Sequence, residues 1–184
     1  LGYSGAQGYY NVLPDMTTMG KIIGGGMPLA AYGGRKEIME MVAPSGPVSQ
    51  AGTLSGNPAA VAAGIKTLEI LKSHPEIYVR AESQAAKLEK AFLENIKKYD
   101  VDAVCNRIGS LMSIFFTKQP VTDYSSAASS DLKRFKEYFA AMMAEGIYIA
   151  PSQFEALFVS GVHSDEDICR TELAIGKALG QWQG

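Results

Sequence analysis

A single lysine, Lys21, stands between a short β-prone run and three consecutive glycines, Gly24 to Gly26. Thr17 to Met19 can reach it as a buried strand, and the glycines allow the backbone to turn sharply after it. Lysine is rarely buried, so a solvated loop residue is the default interpretation. Consecutive glycines, however, are kept in a folded domain where the chain approaches another segment or a ligand. We therefore interpret Lys21 as an amine held within reach of a ligand.

Two kinds of chemistry could use this lysine. A phosphate-binding P-loop needs a glycine at the first position of its motif and Ser or Thr directly after the lysine. Asp15 and Ile22 occupy those two positions, so the P-loop is excluded. The other chemistry is a Schiff base, which a lysine amine forms with an aldehyde. The sequence favours this second chemistry.

The lysine segment Gly20–Pro28 resembles the cofactor-binding lysine segment of the class III aminotransferases, which use pyridoxal 5'-phosphate. Other segments are similar to the aminomutase branch of that family. They follow in the same order along the chain: 5–10, 31–35, 51–58 and 150–155. The resemblance covers the whole chain. It implies an intramolecular amino transfer that converts (S)-glutamate 1-semialdehyde to 5-aminolevulinate, through the pyridoxal and pyridoxamine forms of the cofactor.

The resemblance also implies an α/β fold, the pyridoxal-phosphate-dependent transferase fold type I. Residues 1–74 would form the C-terminal part of the large cofactor-binding domain, and 75–184 a small C-terminal α/β domain. The chain begins without an initiator methionine, so we expect the C-terminal portion of an enzyme. The aspartate that pairs with the cofactor's pyridine nitrogen would lie upstream. The resemblance further implies a homodimer with active sites shared between subunits.

Three residues carry the cofactor roles that the resemblance implies. Lys21 would bond to the cofactor aldehyde, leave it when substrate arrives, and then move protons between carbons. Thr53, with the backbone of Gly52, would bind the cofactor phosphate, and the threonine would come from the other subunit. The alternative for Thr53 is a hydroxyl that only caps its own turn.

Three further residues are candidates for the substrate side of the site. Glu155 would lie near the cofactor, although a solvated loop glutamate is the alternative. Gln50 and Ser49 flank the Thr53 segment and are candidates for substrate contact. Tyrosines near these segments could line the pocket, but core packing is their default role. The sequence shows no metal-ligand pattern.

Composition excludes several other function classes. The net charge is −2 and no basic run occurs, so nothing indicates a nucleic-acid or anionic-membrane partner. No apolar run approaches the roughly 18 residues of a transmembrane helix. Cys105 and Cys169 are far apart and are interpreted as two buried free thiols in a reducing compartment. We expect the cytoplasm, or a plastid in a plant. The remaining alternatives are a class III ω-aminotransferase with an external keto acid, and a non-catalytic interaction module.

Hydrophobic periodicity and turn residues predict the elements that must position these side chains. Residues 1–14 and 124–130 read as loops. The predicted strands are 29–33, 101–106, 111–117, 147–149 and 157–160. The predicted helices are 35–42, a long helix capped by Asn57 and ending near Lys72, 77–99, 131–145, and a last helix that starts at Ser164 and ends near Leu179.

Overall fold

The computed structural model describes residues 1–182, which divide into two compact units. The N-terminal unit comprises Gly2–Pro75, and the C-terminal unit starts at Glu76 and also includes Leu1. The assignment of these units to a large and a small domain stays a prediction. Within residues 1–182, none of the helices is both long enough and apolar enough to cross a membrane.

The N-terminal unit consists of short elements followed by one long helix. They are α1 (Gly5–Tyr10), β1 (Met16–Met19), a 3-10 helix (Lys21–Gly24), β2 (Ala31–Gly34), α2 (Lys36–Met39) and α3 (Pro58–Ser73). Strands β1 and β2 pair antiparallel, with Met16 opposite Gly34 and Met19 opposite Ala31. Two predictions were wrong here. Residues 5–10 are helical instead of a loop, and β1 is largely exposed because the sheet has only two strands within the described residues.

Helix α3 begins where the sequence predicts. The Asn57 side-chain oxygen accepts hydrogen bonds from the backbone N–H groups of Ala59 and Ala60, both at 3.1 Å, and Pro58 occupies the first turn. Its buried face is formed by Ala60 and Gly64. Val61, Ile65, Leu68 and Leu71 form an apolar stripe at helical spacing in the sequence, which predicts the inward face, but Ile65 and Leu68 are exposed. Small residues face inward because the packed segment approaches the helix backbone closely.

The described residues of the C-terminal unit pack four helices and an antiparallel sheet around a main core and a smaller apolar cluster of Phe115, Val121 and Ala127. Its elements are α4 (Glu76–Lys98), β3 (Val104–Ile108), β4 (Leu111–Phe115), α5 (Tyr124–Ala128), α6 (Leu132–Ala144), β5 (Leu157–Phe158) and α7 (Asp165–Gly180). The sheet order is β3-β4-β5. The largest fully buried side chains are Tyr138, Phe92, Met142 and Leu179.

Local hydrogen bonds explain where the elements of this unit begin. Ser164 and Asp167 form the predicted reciprocal capping box at the start of α7. Asp123 and Ser126 form a second capping box, which turns the predicted loop 124–130 into α5. Residues 147–149 form no strand, so the predicted pair of strands is reduced to β5.

Three side chains in this unit are placed differently from the sequence prediction. The spacing of Val79, Ala86, Phe92, Leu93 and Ile96 predicts the inner side of α4, but Val79 and Leu93 are exposed, because the packed stripe runs through Ala85 and Phe92. Cys169 is exposed and not buried. Burial raises the pKa of the Cys105 thiol to about 12, with a further contribution from the nearby Glu89 carboxylate.

Candidate active site

Lys21 lies directly after β1, at the point where the chain leaves the sheet. Gly20 is extended, with φ −155° and ψ −168°, and Lys21 has φ 51°, in the left-handed region. This conformation is unfavourable for a residue with a Cβ, and such strain is found where a function requires it. The side chain is exposed and makes no hydrogen bond or ion pair within residues 1–182. The amine is therefore accessible to a ligand.

The glycines after Lys21 allow the lysine loop to pack on helix α3. Gly25 has φ 58°, and a Cβ there would collide with the Thr67 hydroxyl and lie 3.3 Å from the Ala63 carbonyl oxygen. From the other side, a Cβ on Gly64 would lie 2.9 Å from the carbonyl oxygen of Ile23. The close approach is thus between two chain segments at these positions. Gly26, with φ 92°, faces open space.

The Thr53 segment forms an exposed turn just before α3. The Ser55 N–H donates to the Gly52 carbonyl at 3.0 Å, and the Gln50 amide donates to the Ser55 hydroxyl at 3.3 Å. Within residues 1–182, the Thr53 hydroxyl makes no hydrogen bond, so it does not cap its own turn. The backbone N–H groups of Gly52 and Thr53 donate no backbone hydrogen bond either. The turn thus presents a hydroxyl and two amides as available donors.

These features fit an aldehyde cofactor that carries a phosphate. Lys21 supplies an unpartnered amine, and the Gly52–Thr53 turn supplies donors suited to phosphate oxygens. In the described part of the chain, no hydrogen bond joins Lys21 to residues 49–53. Ser49 is exposed and Gln50 is held only through Ser55. No cluster of His, Cys, Asp or Glu suited to a metal ion occurs in residues 1–182.

Arg35 holds the strand that precedes the lysine. Its guanidinium donates to the Asp15 carboxylate at 3.0 Å, and its backbone N–H donates to the Asp15 carbonyl, also at 3.0 Å. A second side-chain pairing joins it to Glu37. The hydrogen bond that Arg35 donates to Asp15, followed by the one that it donates to Glu37, raises the pKa of Arg35 above its ordinary value. Because all three side chains are exposed, this network orients the β1–β2 ribbon more than it stabilises it.

Glu155 belongs to the C-terminal unit and lies in the exposed turn before β5. Its backbone N–H donates to the Ser152 carbonyl at 3.1 Å, and the Ser152 hydroxyl accepts from the Phe154 N–H at 3.2 Å. The neighbouring Gln153 is buried, and its side-chain amide donates to the backbone carbonyl of Ile114 in β4. No role was predicted for Gln153, because a glutamine in a polar turn carries no signal of burial.

A sequence model of the family described as aminotransferase class-III matches residues 1–170. Among curated proteins, the glutamate-1-semialdehyde 2,1-aminomutase 2 of Lachnoclostridium phytofermentans is 53% identical over 97% of the chain. The glutamate-1-semialdehyde 2,1-aminomutase of Pelotomaculum thermopropionicum is 56% identical, also over 97%. The chain spans only 42% and 41% of the lengths of these two relatives.

Solved structures match the fold over nearly the full chain. An omega-transaminase from Sphaerobacter thermophilus superposes with a TM-score of 0.84 at 28% identity, covering 100% of this chain and 42% of that one. A structure described as a transaminase with PLP bound gives 0.82 at 27% identity, covering 98% and 41%. These matches confirm the fold class predicted from the sequence.

Proposed function

Because the chain belongs to the class III aminotransferase family, we propose that it is part of an enzyme that isomerises (S)-glutamate 1-semialdehyde to 5-aminolevulinate with pyridoxal phosphate. The observation that carries the proposal is the unpartnered amine of Lys21, held in a left-handed conformation after β1. The names of the two aminomutases that are more than half identical support the substrate. The proposal concerns the whole enzyme, since the chain spans less than half of those relatives.

When bound, pyridoxal phosphate supplies an electron sink for breaking bonds at the carbon that carries the amine. Lys21 would hold the cofactor through its aldehyde, and once substrate has displaced the amine, it would move protons between the reacting carbons. The Gly52 and Thr53 amides and the Thr53 hydroxyl bind the phosphate. Gln50 and Ser49 contact the substrate from the same turn. Glu155 is the further candidate for a catalytic role.

Substitution of Lys21 in the full-length enzyme tests the central residue. Lys21→Ala and Lys21→Arg should both lose nearly all turnover, because alanine has no amine and guanidinium stays protonated and cannot form the Schiff base. Borohydride reduction should attach the cofactor permanently to Lys21, and mass spectrometry should detect the modified lysine in the wild type only. Near-normal turnover in either variant would remove Lys21 from this role. It would also leave the non-catalytic alternative open for this chain.

An assay without keto acid separates the two enzymatic alternatives. An aminomutase converts its substrate with no external acceptor, whereas an ω-aminotransferase needs one. The similarity to an omega-transaminase structure makes this comparison necessary. The segment ahead of Thr53 favours the aminomutase, because it lacks the aromatic residue and the histidine typical of ω-aminotransferases. Turnover that depends strictly on added keto acid would refute the aminomutase.

We also propose that the enzyme is a homodimer in which Thr53 reaches the partner's cofactor. Co-expressed Lys21→Ala and Thr53→Ala subunits would then form a heterodimer with one intact site and one doubly altered site. Losing a hydrogen bond to a charged group costs about 1.5–3 kcal/mol, so the Thr53→Ala defect should be visible at limiting cofactor. Under that condition the activity of the heterodimer should recover toward half of the wild type, because one of its two sites is intact. Activity equal to the mean of the two parents would place Thr53 outside a shared site.

The free thiols support a reducing location, which we propose to be the cytoplasm.

A further inference from the structure

The pairing between β4 and β5 stops before it reaches the Glu155 turn. Leu111 pairs with Phe158 and Met112 with Leu157, and the Val159 N–H donates to the Ser110 carbonyl at 2.9 Å. Continuing this antiparallel register would set Glu155 opposite Ile114, with the Ile114 carbonyl as a ladder acceptor. The Glu155 N–H instead donates to Ser152 within its own turn.

The side chain of Gln153 takes that acceptor. Its amide nitrogen donates to the Ile114 carbonyl, so the backbone group that would otherwise be left unpaired at the end of the sheet is satisfied. Only 4% of Gln153 is exposed, and its side-chain oxygen is buried with no hydrogen-bond partner within the described residues. A buried amide oxygen without a partner is unfavourable. The favourable contact of Gln153 is therefore the one made by its amide nitrogen, and its amide oxygen contributes an unfavourable term.

Two further contacts hold the same turn without restraining the Glu155 carboxylate. The Ser152 hydroxyl accepts from the Phe154 N–H, and the Phe154 ring lies against Tyr124 with centroids 6.0 Å apart. Phe154 and Tyr124 are both exposed, whereas the Gln153 contact is buried. The Gln153 contact is thus the one that water does not compete for.

We propose that Gln153 is a positioning residue for Glu155. Its side-chain amide replaces a ladder hydrogen bond on Ile114, which ends the sheet and holds the turn so that Glu155 projects from it. The inference rests on the proposed function only in the role given to Glu155. The hydrogen bond and the end of the sheet are independent of that role.

Gln153→Met in the full-length enzyme tests the inference, since methionine keeps the length of the side chain and removes the donor. Gln84→Met is the matched control. Gln84 is 3% exposed, donates to Asp165 at 2.8 Å and has a buried oxygen without a partner, but it lies on α4 away from the turn. Gln153→Leu is the second variant should Gln153→Met fold poorly.

The first readout is amide hydrogen exchange of the peptide 151–156 in the cofactor-free protein. Gln153→Met should speed exchange of this peptide, and Gln84→Met should leave it unchanged. Unchanged exchange in both Gln153 variants would overturn the inference, whatever Glu155 does.

The second readout is a double-mutant cycle on kcat/KM. Gln153→Met should lower kcat/KM by about ten- to a hundredfold, because a misplacement of about 1 Å can cost roughly 10²-fold. In the Glu155→Gln background the same change should have little further effect, since both act through one carboxylate. Multiplicative losses would overturn the positioning role. An unaffected Glu155→Gln enzyme combined with faster exchange in Gln153→Met would refute the role of Glu155 and leave the hold on the turn standing.

Discussion

Gly64→Ala is the substitution whose outcome most directly tests how Lys21 is positioned. In an ordinary helix the change would stabilise the protein by roughly 1 kcal/mol, because alanine is the better helix former. Here the new methyl group would lie 2.9 Å from the carbonyl oxygen of Ile23 and collide with the Leu29 side chain. A backbone oxygen cannot move without moving its segment, and overpacking of this kind costs about 1–3 kcal/mol.

The two contributions oppose each other and predict a net loss. Their difference lowers the free energy of unfolding by roughly 0–2 kcal/mol. The more specific consequence is for catalysis, since Ile23 lies in the 3-10 helix that Lys21 begins. Relief of the collision moves this helix away from α3. A displacement of about 1 Å at a reacting group can cost roughly 10²-fold in rate. Turnover should therefore fall by up to about a hundredfold, while the protein stays folded.

Gly176→Ala provides the matched control within the same chain. Gly176 also lies inside a long helix, α7, and a Cβ there would lie 3.2 Å from the side-chain oxygen of Asn95. A side chain can shift by the few tenths of an ångström required. This variant should therefore be as stable as the wild type or more stable, by up to about 1 kcal/mol, with normal turnover.

Urea unfolding of the cofactor-free enzyme and steady-state turnover give the two measurements. The expected pattern is a stability loss and a large turnover loss for Gly64→Ala, and neither for Gly176→Ala. If both variants behaved alike, with raised stability and normal turnover, the close packing of the lysine loop on α3 would have no part in placing the amine.

Three further predictions concern single residues. In the cofactor-free protein, the free energy of unfolding of Lys21→Gly should exceed that of Lys21→Ala by about 1 kcal/mol, because a Cβ in the left-handed region costs roughly 1–2 kcal/mol. Equal free energies of unfolding would contradict the strain at this position. The side-chain hydrogen bond from Ser164, then its backbone N–H, lowers the pKa of Asp167. Its stabilising effect is therefore present above the unfolded pKa of about 3.9 and lost as pH falls through the lower folded pKa; the stability advantage over Asp167→Asn, measured by urea unfolding, should vanish in acid, and a constant difference would refute this. At pH 8 a maleimide should label exposed Cys169 and leave Cys105 unmodified, and labelling of Cys169→Ser would contradict this assignment.

Features set by a few neighbouring residues could be predicted from the sequence. Asn57 before Pro58 and Ser164 before Asp167 fix helix starts through hydrogen bonds that span only one turn. The glycines after Lys21 correctly indicated a close approach. That helix α3 is the segment that approaches these glycines could not be predicted from neighbouring residues, because it depends on which face of α3 packs against the lysine loop.

Features that depend on distant packing were missed. Gln153 is functional in our proposal because it meets Ile114, far away in the sequence, and no local pattern shows this contact. The predicted inward face of α3 was wrong. The small size of Gly64, and not hydrophobicity, decides how closely the lysine loop can pack on the helix. The left-handed backbone of Lys21 was equally hidden, since lysine itself gives no preference for it.

The exposed apolar surface of the N-terminal unit determines how a solution of this 184-residue polypeptide should behave. Leu13 is 92% exposed and Ile22 76%, and β1 and β2 each leave one edge unpaired in the described residues. A net charge of −2 provides little repulsion between molecules. The purified polypeptide should therefore enhance the fluorescence of a hydrophobic dye and form soluble aggregates as its concentration rises, with added salt making little difference. Its colloidal stability, and not the stability of its folded core, would then limit how concentrated a sample can be prepared.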